Sequence, residues 1–337
     1  MVNEVIYNTV LYNYKVKRVA GFLLRSRFLT GNPIYRFLYG RATRRKMRAF
    51  EKVPFRVMLE NTNLCEAYCA FCPHKDMKRQ AGVMDFGLTR KIIDECRDLS
   101  IDHVTIYGFG EPLLDRDFFR RVEYAKRKGI KRVTTNTNAA FLDEGKNGSL
   151  IASGINEVYI SFDAFTEGTY KKIRPNLDFD KVKQNILDLI DRRNKNEKNS
   201  PLIVLSFVEN DINKNEVQSY INYWKGKADY VSVSLAHNWT GDMPGCPVAD
   251  GSFRDPCRLL WTDMFILYNG DVALCCNDFD GRIIIGNVKE RSIRDIWSGE
   301  RLGGIRREHI RRNFGAVNVC KDCNYNYHYK SNWWVSK

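Results

Sequence analysis

The chain has 337 residues, 44% of them hydrophobic and 12% aromatic, which is enough to bury a large core. It is longer than a single compact domain usually is. Charged residues make up 28%, and no stretch approaches the roughly 20 continuous apolar residues of a membrane span, which excludes a polytopic membrane protein. The first residues lack the compact apolar region of a secretory signal, so we expect a cytoplasmic protein. In that reducing compartment, ten cysteines favour metal binding over disulfides.

Most of the excess positive charge lies near the N-terminus. Residues 1–50 contain eleven Lys or Arg against one Glu, which gives +10 of the total +14, and aromatic residues are interleaved with the charges. The pattern predicts a basic, aromatic-rich helical segment over residues 1–52. Such a segment could pack against the rest of the protein, make peripheral contact with an anionic membrane through residues 1–50, or recruit an anionic substrate. No nucleic-acid-binding motif follows it, so nucleic acid is the least favoured partner.

From residue 53 to residue 236, short apolar runs alternate with helical patterns, which is typical of parallel βα units. The predicted strands cover residues 55–60, 103–107, 132–136, 157–162, 202–208 and 230–235. The predicted helices cover residues 88–99, 117–128, 142–153, 179–192 and 214–224. Six parallel strands with crossover helices predict an α/β fold with an open sheet or a partial barrel. Ligands of such folds bind at the carboxyl ends of the strands, so the residues after each strand are the candidates for function.

Three cysteines follow the first predicted strand with the spacing CxxxCxxC: Cys65, Cys69 and Cys72. Three thiolates within eight residues can bind one metal centre. A structural zinc ion would need a fourth ligand, for which His74 is the best candidate. A [4Fe–4S] cluster with three protein thiolates instead leaves one iron open. The spacing alone leaves both alternatives open.

This motif, with Phe71 before the third cysteine and a position after the first of six strands, resembles that of the radical SAM superfamily. The resemblance implies a partial (βα)6 barrel core. It also implies a [4Fe–4S] cluster held by the three cysteines, with S-adenosylmethionine bound to the open iron. Reductive cleavage of S-adenosylmethionine would then give a 5′-deoxyadenosyl radical, with the electron supplied by a donor such as flavodoxin or ferredoxin.

Residues after later strands extend the resemblance. The segment Gly108-Phe109-Gly110-Glu111-Pro112 looks like the family's GGEP motif with Phe109 in place of the first glycine, and it implies contacts with S-adenosylmethionine. Polar residues after the third and fourth strands, and an arginine that resembles the one near the S-adenosylmethionine carboxylate, complete the candidate cofactor-binding set: Gly108, Gly110, Glu111, Pro112, Asn136, Ser161, Asp163 and Arg174. As isolated residues, several of these are ordinary turn formers or loop charges.

Four further cysteines lie in the C-terminal part: Cys257, Cys275, Cys320 and Cys323. A tight turn at 269–270 predicts a hairpin between residues 264–268 and 272–275, which could help to gather four thiolates. Four cysteines can hold zinc or a second [4Fe–4S] cluster. Their Cx12Gx4C and CxxC spacings resemble those of SPASM/Twitch auxiliary-cluster domains. Because no cysteine follows Cys323, the resemblance implies one auxiliary cluster, two [4Fe–4S] clusters in all, and a small domain over residues 257–337 after a linker over 237–256.

Three cysteines remain. Cys96 lies in an apolar-periodic helix and is predicted to be a core residue. Cys276 adjoins a candidate ligand, and it is predicted to point to the opposite face of its strand because strand side chains alternate. Cys246, in the Gly-rich linker, is either an ordinary thiol or a catalytic hydrogen-atom donor to a substrate radical, as in related epimerases.

With one auxiliary cluster, the chain most resembles the Twitch-type dehydrogenase of aminoglycoside biosynthesis. We therefore expect a radical SAM oxidoreductase that dehydrogenates a small sugar- or aminocyclitol-like substrate, which could be anionic or sugar-linked. Candidates for the base near the sixth strand end are His237, Asn238 and Asp242. The alternatives are an epimerase that uses a cysteine hydrogen donor, a peptide-modifying enzyme and, outside enzymes, a zinc-binding interaction protein.

Overall fold

The computed structural model describes residues 47–195, 200–244 and 254–325, the backbone of residues 333–336, and the single positions 33, 41 and 45. The predicted helical segment over residues 1–52 therefore lies almost entirely outside the described residues. Residues 47–49 are helical, and Met47 is buried in the main core. Among the helices of the described residues, none is both long enough and apolar enough to cross a membrane.

Six parallel strands in sequential order form the centre of the sheet, as the alternating pattern predicts. They are β1 (Arg56–Leu59), β2 (His103–Ile106), β3 (Arg132–Thr137), β4 (Glu157–Ser161), β5 (Leu202–Glu209) and β6 (Tyr230–Leu235). Each strand pairs in parallel with the next one along the chain. The α/β fold with a (βα)6 array is confirmed.

Helices connect successive strands and bury one apolar face against the sheet. They are α1 (Phe86–Asp98), α2 (Phe118–Arg127), α3 (Glu144–Ala152), α4 (Glu167–Ile173), α5 (Phe179–Lys195) and α6 (Val217–Trp224). In α1, Leu88, Ile92 and Cys96 recur at helical spacing and are buried, while the Asp85 side chain accepts a hydrogen bond from the Leu88 amide at the N-terminus. The prediction of Cys96 as a core residue is confirmed.

The sheet does not end with β6. Strand β7 (Asp263–Ile266) pairs in parallel with β1, and β8 (Asp271–Ala273) and β9 (Ile284–Asn287) continue the sheet in antiparallel fashion. At the opposite edge, β10 (Trp333–Ser336) pairs antiparallel with β6. The described strands thus form a ten-stranded sheet in the order β10-β6-β5-β4-β3-β2-β1-β7-β8-β9. The C-terminal cysteine region is built onto the sheet of the N-terminal core.

Short helices complete the C-terminal region. They are α7 (Leu259–Thr262), α8 (Ile293–Trp297), α9 (Glu300–Ile310) and α10 (Asn318–Lys321). The chain before β1 is fixed to this region, because the Trp297 indole N–H donates to the Phe50 carbonyl at 2.8 Å and the Arg306 guanidinium donates to the Glu51 carbonyl at 3.4 Å. The predicted hairpin is confirmed, with Gly270 at its turn in the left-handed region (φ 93°).

Candidate metal centres and cofactor site

The loop that carries the first three cysteines begins where β1 ends. The buried Asn61 side chain donates to the Pro112 carbonyl at 3.1 Å and to the Asp115 carboxylate at 2.9 Å, which ties the loop to the segment after β2. The same carboxylate also accepts from the Nε–H of the buried Arg121 at 2.7 Å. This buried polar network fixes the start of the cysteine loop against the neighbouring strand end.

The glycines after β2 allow that close approach. A Cβ atom on Gly110 would lie 2.5 Å from the Thr62 carbonyl oxygen and 2.6 Å from that of Leu64, and one on Gly108 would lie 2.5 Å from Cγ of Glu60. The Leu64 carbonyl also accepts a hydrogen bond from the amide after Gly110, at 2.8 Å. In this structure, both glycines therefore serve the packing of the strand end on the cysteine loop, a role that the motif alone does not reveal.

Cys65, Cys69 and Cys72 lie together at this end of the barrel as free thiols. Burial raises the pKa of Cys65 and Cys72 to about 12, and it also raises the pKa of Cys69. The charge of Cys69 adds to the rise at both of the others, which places the three sulfurs in one electrostatic neighbourhood. His74, the candidate fourth zinc ligand, instead places Nε2 at 2.7 Å from the Asn63 carbonyl oxygen.

Glu111 is buried, and its carboxylate accepts hydrogen bonds from three groups. They are the Thr137 hydroxyl at 2.6 Å, the Asn138 amide at 2.8 Å and the Leu113 amide at 3.2 Å. Burial raises the pKa of Glu111 to about 7 despite these donors. The residue therefore connects the ends of β2 and β3 beside the cysteine loop, while the adjacent Pro112 is buried at the start of a short 3-10 helix.

The candidate cofactor residues on the next strands differ in their environment. Asn136 and Ser161 are half-buried on β3 and at the end of β4, where Ser161 lies opposite Ser206 of β5. Asp163 and Arg174 are buried and form an ion pair with each other. The Arg174 guanidinium also donates from Nη1 to the Cys69 sulfur at 3.1 Å. The arginine predicted to approach S-adenosylmethionine is thus already held by a carboxylate and a candidate metal ligand.

The other four cysteines meet in the C-terminal region. Cys257 precedes α7, Cys275 follows β8, Cys320 lies in α10, and Cys323 comes three residues later. Burial raises the pKa of Cys320 to about 12 and raises the pKa of Cys257 and Cys275 as well. The charges of Cys320 and Cys323 contribute to the rise at Cys257, and those of Cys257 and Cys320 contribute at Cys275. The fold brings together the four thiols that the spacing selects.

His309 of α9 supports this second group, although the sequence does not single it out. It is buried, and its Nδ1 accepts a hydrogen bond from the Cys257 amide at 3.2 Å. Burial lowers the pKa of His309 to about 4, so the ring is neutral at physiological pH and able to accept. An isolated histidine on a short helix carries no signal of this contact in the sequence.

The remaining cysteines are not among the candidate cluster ligands. Cys276 packs beside the apolar cluster that contains Met58 and Phe265, and the charges of Asp263 and Arg56 influence its pKa, which burial raises to about 11. The charge of Cys276 contributes to the raised pKa of Cys275 ahead of the charges of Cys257 and Cys320, so the opposite orientation of the neighbouring thiols stays a prediction. Cys246, the candidate hydrogen-atom donor, falls in residues 245–253, outside the described residues.

A strap formed by residues 237–242 connects the two cysteine groups. The Trp239 indole N–H donates to the carbonyl of Phe71, the residue before Cys72, at 2.7 Å. Asn238 and Asn324, one residue after Cys323, exchange amide-to-side-chain hydrogen bonds of 2.9 and 3.0 Å. The strap therefore contacts the chain next to a cysteine of each group.

The three base candidates lie in this strap, and each already has a partner. The His237 ring lies 4.2 Å from that of Trp239, and Asp242 forms an ion pair with Arg282 at 2.9 Å. Asn238 is engaged with Asn324 and with the backbone after Cys320. The sequence places the three at the sixth strand end, as the structure does, but it does not reveal these contacts.

Another ion pair, between half-buried Arg79 and Glu60, lies beside the first cysteine loop, and the sequence does not reveal it either. Arg79 donates to both carboxylate oxygens of the fully buried Glu60, at 2.8 and 2.9 Å, and to the Phe279 carbonyl at 2.7 Å. The same carboxylate accepts from the amides of Phe109 and Tyr268 at 3.3 and 3.1 Å. One carboxylate thus joins the cysteine loop, the end of β2 and the β7–β8 hairpin.

The donor sets fit iron–sulfur centres. Within the described residues, no three His, Cys, Asp or Glu side chains close on a single point as a lone metal ion requires, so the fit is argued from donor chemistry. The first group offers three thiols and leaves one position for a further ligand, and the second offers four. The cysteines are free thiols, and a cationic centre that binds them stabilises the thiolate form, which is the metal ligand.

Comparisons with known proteins agree with this architecture. The radical SAM superfamily model matches residues 59–217, and the model of an iron–sulfur cluster-binding domain, SPASM, matches residues 257–324. The S-adenosyl-L-methionine-dependent 2-deoxy-scyllo-inosamine dehydrogenase of Niallia circulans is 24% identical over 275 residues, which are 80% of this chain and 92% of that protein.

Solved structures give the same fold. The crystal structure of BtrN in complex with AdoMet and 2-DOIA has a TM-score of 0.58 at 19% identity and covers 83% of this chain and 99% of that one. The structure of Streptococcus suis SuiB bound to precursor peptide SuiA has a TM-score of 0.64 at 16% identity, with coverage of 82% and 72%. Both likenesses lie below 25% identity and therefore concern the fold.

A (βα)6 core with three thiols at the strand ends, followed by a second thiol group on the same sheet, defines an enzyme core joined to an iron–sulfur domain. The chain belongs to the radical SAM superfamily and carries a SPASM-type domain. Iron–sulfur centres and S-adenosylmethionine are therefore its cofactors.

Proposed function

We propose that this enzyme dehydrogenates a secondary alcohol of a small sugar- or aminocyclitol-like substrate, and that it does so with two [4Fe–4S] clusters. The observation that carries the proposal is the second cysteine group. Its four thiols would give every iron of a cubane a protein ligand, which leaves no iron for the substrate. Such a centre is suited to accept an electron. The match with a dehydrogenase over 92% of that protein's length supports the same reaction class.

The bound cofactors provide the redox chemistry of the proposed reaction. An iron–sulfur centre held by Cys65, Cys69 and Cys72 would supply the one electron that cleaves S-adenosylmethionine into methionine and a 5′-deoxyadenosyl radical, which would take a hydrogen atom from the carbinol carbon. A centre held by Cys257, Cys275, Cys320 and Cys323 would accept the electron that remains when the hydroxyl proton leaves and a ketone forms. The first electron comes from a protein donor of the flavodoxin or ferredoxin class, which we also propose as a partner.

The chain's own residues would hold the two iron–sulfur centres and fix the distance between them. Cys65, Cys69 and Cys72 would hold the radical-generating cluster, and the network around Glu111 fixes the strand ends beside it. The strap that contains Trp239 spans the distance between the two cysteine groups. Both groups lie on one ten-stranded sheet, so their separation is set by a rigid scaffold rather than by a loose linker.

The test is product analysis in the absence of oxygen. The reconstituted enzyme is incubated with S-adenosylmethionine, a reductant and 2-deoxy-scyllo-inosamine or a related aminocyclitol. We expect 5′-deoxyadenosine and a ketone in equal amounts. The Cys69→Ala variant should form neither. The Cys320→Ala variant, which removes one ligand of the second group, should form deoxyadenosine without the ketone.

Two outcomes would contradict the proposal. An epimerase would produce no ketone and would incorporate deuterium from heavy water at an inverted carbon, as expected if Cys246 donates hydrogen. A ketone formed at the wild-type rate by Cys320→Ala would show that the second group accepts no electron. Either result leaves membership of the radical SAM superfamily untouched and rejects dehydrogenation through the second centre.

A further inference from the structure

Arg174 makes a contact that the superfamily motifs do not assign. Its guanidinium is buried, with a residue exposure of 4%, and it spans two partners. Nη2 is paired with the Asp163 carboxylate, and Nη1 donates to the sulfur of Cys69 at 3.1 Å. The second contact joins a permanent positive charge to a candidate cluster ligand.

Asp163 is itself held in place, so it fixes the direction of the arginine. Its backbone adopts the left-handed region (φ 58°), and its carboxylate accepts from the Val208 amide at 2.7 Å. Its carbonyl accepts from the Asn213 side chain at 2.8 Å. Arg174 is the residue that directly follows α4. The carbonyl of the preceding Ile173 accepts a hydrogen bond from the Ala70 amide of the cysteine loop at 2.8 Å. Backbone and side chain of this corner both point Arg174 at the loop.

A positive group at this position stabilises the reduced state of an iron–sulfur centre bound by Cys69, because the reduced state is the more negative one. Reduction adds one negative charge to an iron–sulfur centre, and hydrogen bonds to its sulfurs and the net charge around it set the reduction potential. In a buried environment, such a charge acts with little screening by water. Asp163 opposes the effect, but Arg174 contacts the Cys69 sulfur directly through Nη1 while Asp163 accepts from Nη2, and the charge of Arg174 outweighs that of Asp163 at Cys69.

We propose that Arg174, oriented by Asp163, is a positioning residue that raises the reduction potential of the cluster held by Cys65, Cys69 and Cys72 by donating to the Cys69 sulfur. This inference rests on the superfamily's iron–sulfur centre and not on the dehydrogenase proposal. It differs from the expected contact with the S-adenosylmethionine carboxylate, because it acts before S-adenosylmethionine binds.

The experiment measures the midpoint potential of the first cluster by redox titration followed by electron paramagnetic resonance, without S-adenosylmethionine. The Cys65/Cys69/Cys72→Ala variant supplies the signal of the second centre for subtraction. Arg174→Gln should make the reduction equilibrium roughly tenfold less favourable, a downward shift of about 59 mV for one electron. The Asp163→Asn/Arg174→Gln double variant removes both buried charges together, so it guards against misfolding, and it should shift the potential in the same direction by less.

Arg193→Gln is the matched control. Arg193 is equally buried and paired with a carboxylate, that of Asp229, but it contacts the Pro201 carbonyl rather than a thiol. Its replacement should leave the potential unchanged. The proposal is overturned if Arg174→Gln and the double variant keep the wild-type potential, and in particular if Arg174→Gln only weakens S-adenosylmethionine binding. Iron content, measured first, confirms that each sample holds the cluster, and no step of the test requires a substrate.

Discussion

Gly110 packs so closely against the backbone of the cysteine loop that it leaves no room for a side chain. A methyl group there would lie under 3 Å from two backbone carbonyl oxygens of the loop, and backbone atoms cannot move aside as a flexible side chain can. We expect Gly110→Ala to lower the free energy of unfolding by about 1–3 kcal/mol and to reduce iron incorporation at the first site. Chemical unfolding and iron analysis after reconstitution measure both effects.

Gly148 offers the control for that substitution. It lies in α3, and a Cβ atom added to it would have no heavy atom within 4 Å outside its own helix turn. Gly148→Ala should therefore stabilise the helix by about 0.5–1 kcal/mol and leave the iron content unchanged. Wild-type iron content in Gly110→Ala would contradict the packing role of Gly110.

Glu111 gives a prediction for pH dependence. Burial raises its folded-state pKa from 4.5 to about 7, so the unfolded chain releases the proton first as pH rises. The stability associated with the protonated carboxyl is fully present below about pH 4.5 and is lost as pH rises through about 7, by about 3 kcal/mol in all. Urea unfolding of the iron-free, reduced protein should therefore show a steeper loss of stability over this range in the wild type than in Glu111→Gln.

The slopes of the free energy of unfolding against pH are compared, because the Glu111→Gln substitution also changes the absolute free energy of unfolding. The exposed Glu123→Gln substitution should leave the wild-type slope intact. Identical slopes in the wild type and in Glu111→Gln would contradict the buried, neutralised state of this carboxyl group near pH 6.

Among individual residues, the sequence was informative where chemistry requires a fixed spacing. The three cysteines of the first group could be selected because they lie within eight residues, whereas the four of the second group could be selected because their spacings resemble those of SPASM/Twitch domains. The contact of Arg174 with Cys69 could not be predicted. It depends on the orientation that Asp163 imposes, and these three residues come from separate elements.

Among the structural elements, the strap over residues 237–242 carries the next prediction. Trp239→Phe keeps an aromatic ring near Phe109 but removes the indole N–H that donates to the Phe71 carbonyl. Because that carbonyl adjoins Cys72, we expect two- to fivefold faster loss of iron from the first site to a chelator, a change of about 0.5–1 kcal/mol that is typical of one hydrogen bond. The rate is measured by the decay of the iron–sulfur absorbance.

Trp297→Phe is the matched control, since it also removes one indole hydrogen bond to a backbone carbonyl, that of Phe50, at 2.8 Å instead of 2.7 Å. This bond lies at the N-terminal side of the molecule and should not affect iron release. Equal rates in the two variants would contradict a specific role for the strap.

The six strands of the core were predicted within one or two residues because each is a short run of apolar or β-branched residues bounded by turns, as in 103–107 against His103–Ile106. Helix α4 was not predicted, because its seven residues bury only Tyr170 and Ile173 and show no extended periodicity. The pairing of β7 with β1 was also missed. It joins strands about 200 residues apart, and nothing in the local pattern of 263–266 specifies its neighbour.

For the molecule as a whole, the concentration of positive charge near the N-terminus is the main feature without an assigned role. Residues 1–46 carry ten Lys or Arg and one Glu. Met47 and the Phe50 carbonyl are docked on the core, so a truncation should end at residue 46. We propose peripheral membrane contact for this segment, and we expect its deletion to reduce pelleting with anionic liposomes several-fold, an effect that high salt should reproduce in the full chain. Unchanged pelleting would contradict the proposal.

The continuous sheet also bears on how the two cysteine groups work together. The core and the C-terminal region share strand pairs, and Glu60 and Arg79 of the core hydrogen-bond to Tyr268 and Phe279 of the C-terminal region. The two metal centres should therefore unfold or persist together. The alternation of strands and helices predicts the core but not this continuity, since the βα pattern ends at β6 while the sheet does not.

The function proposed for this enzyme depends on each thiol group holding a [4Fe–4S] cluster, which metal content can test. Iron, sulfide and zinc are measured after anaerobic reconstitution of the wild type, of Cys65/Cys69/Cys72→Ala and of Cys257/Cys320/Cys323→Ala. We expect about eight irons and eight sulfides per chain in the wild type and about four in each variant. Stoichiometric zinc without iron, or four irons in the wild type that only one variant removes, would contradict the presence of two clusters.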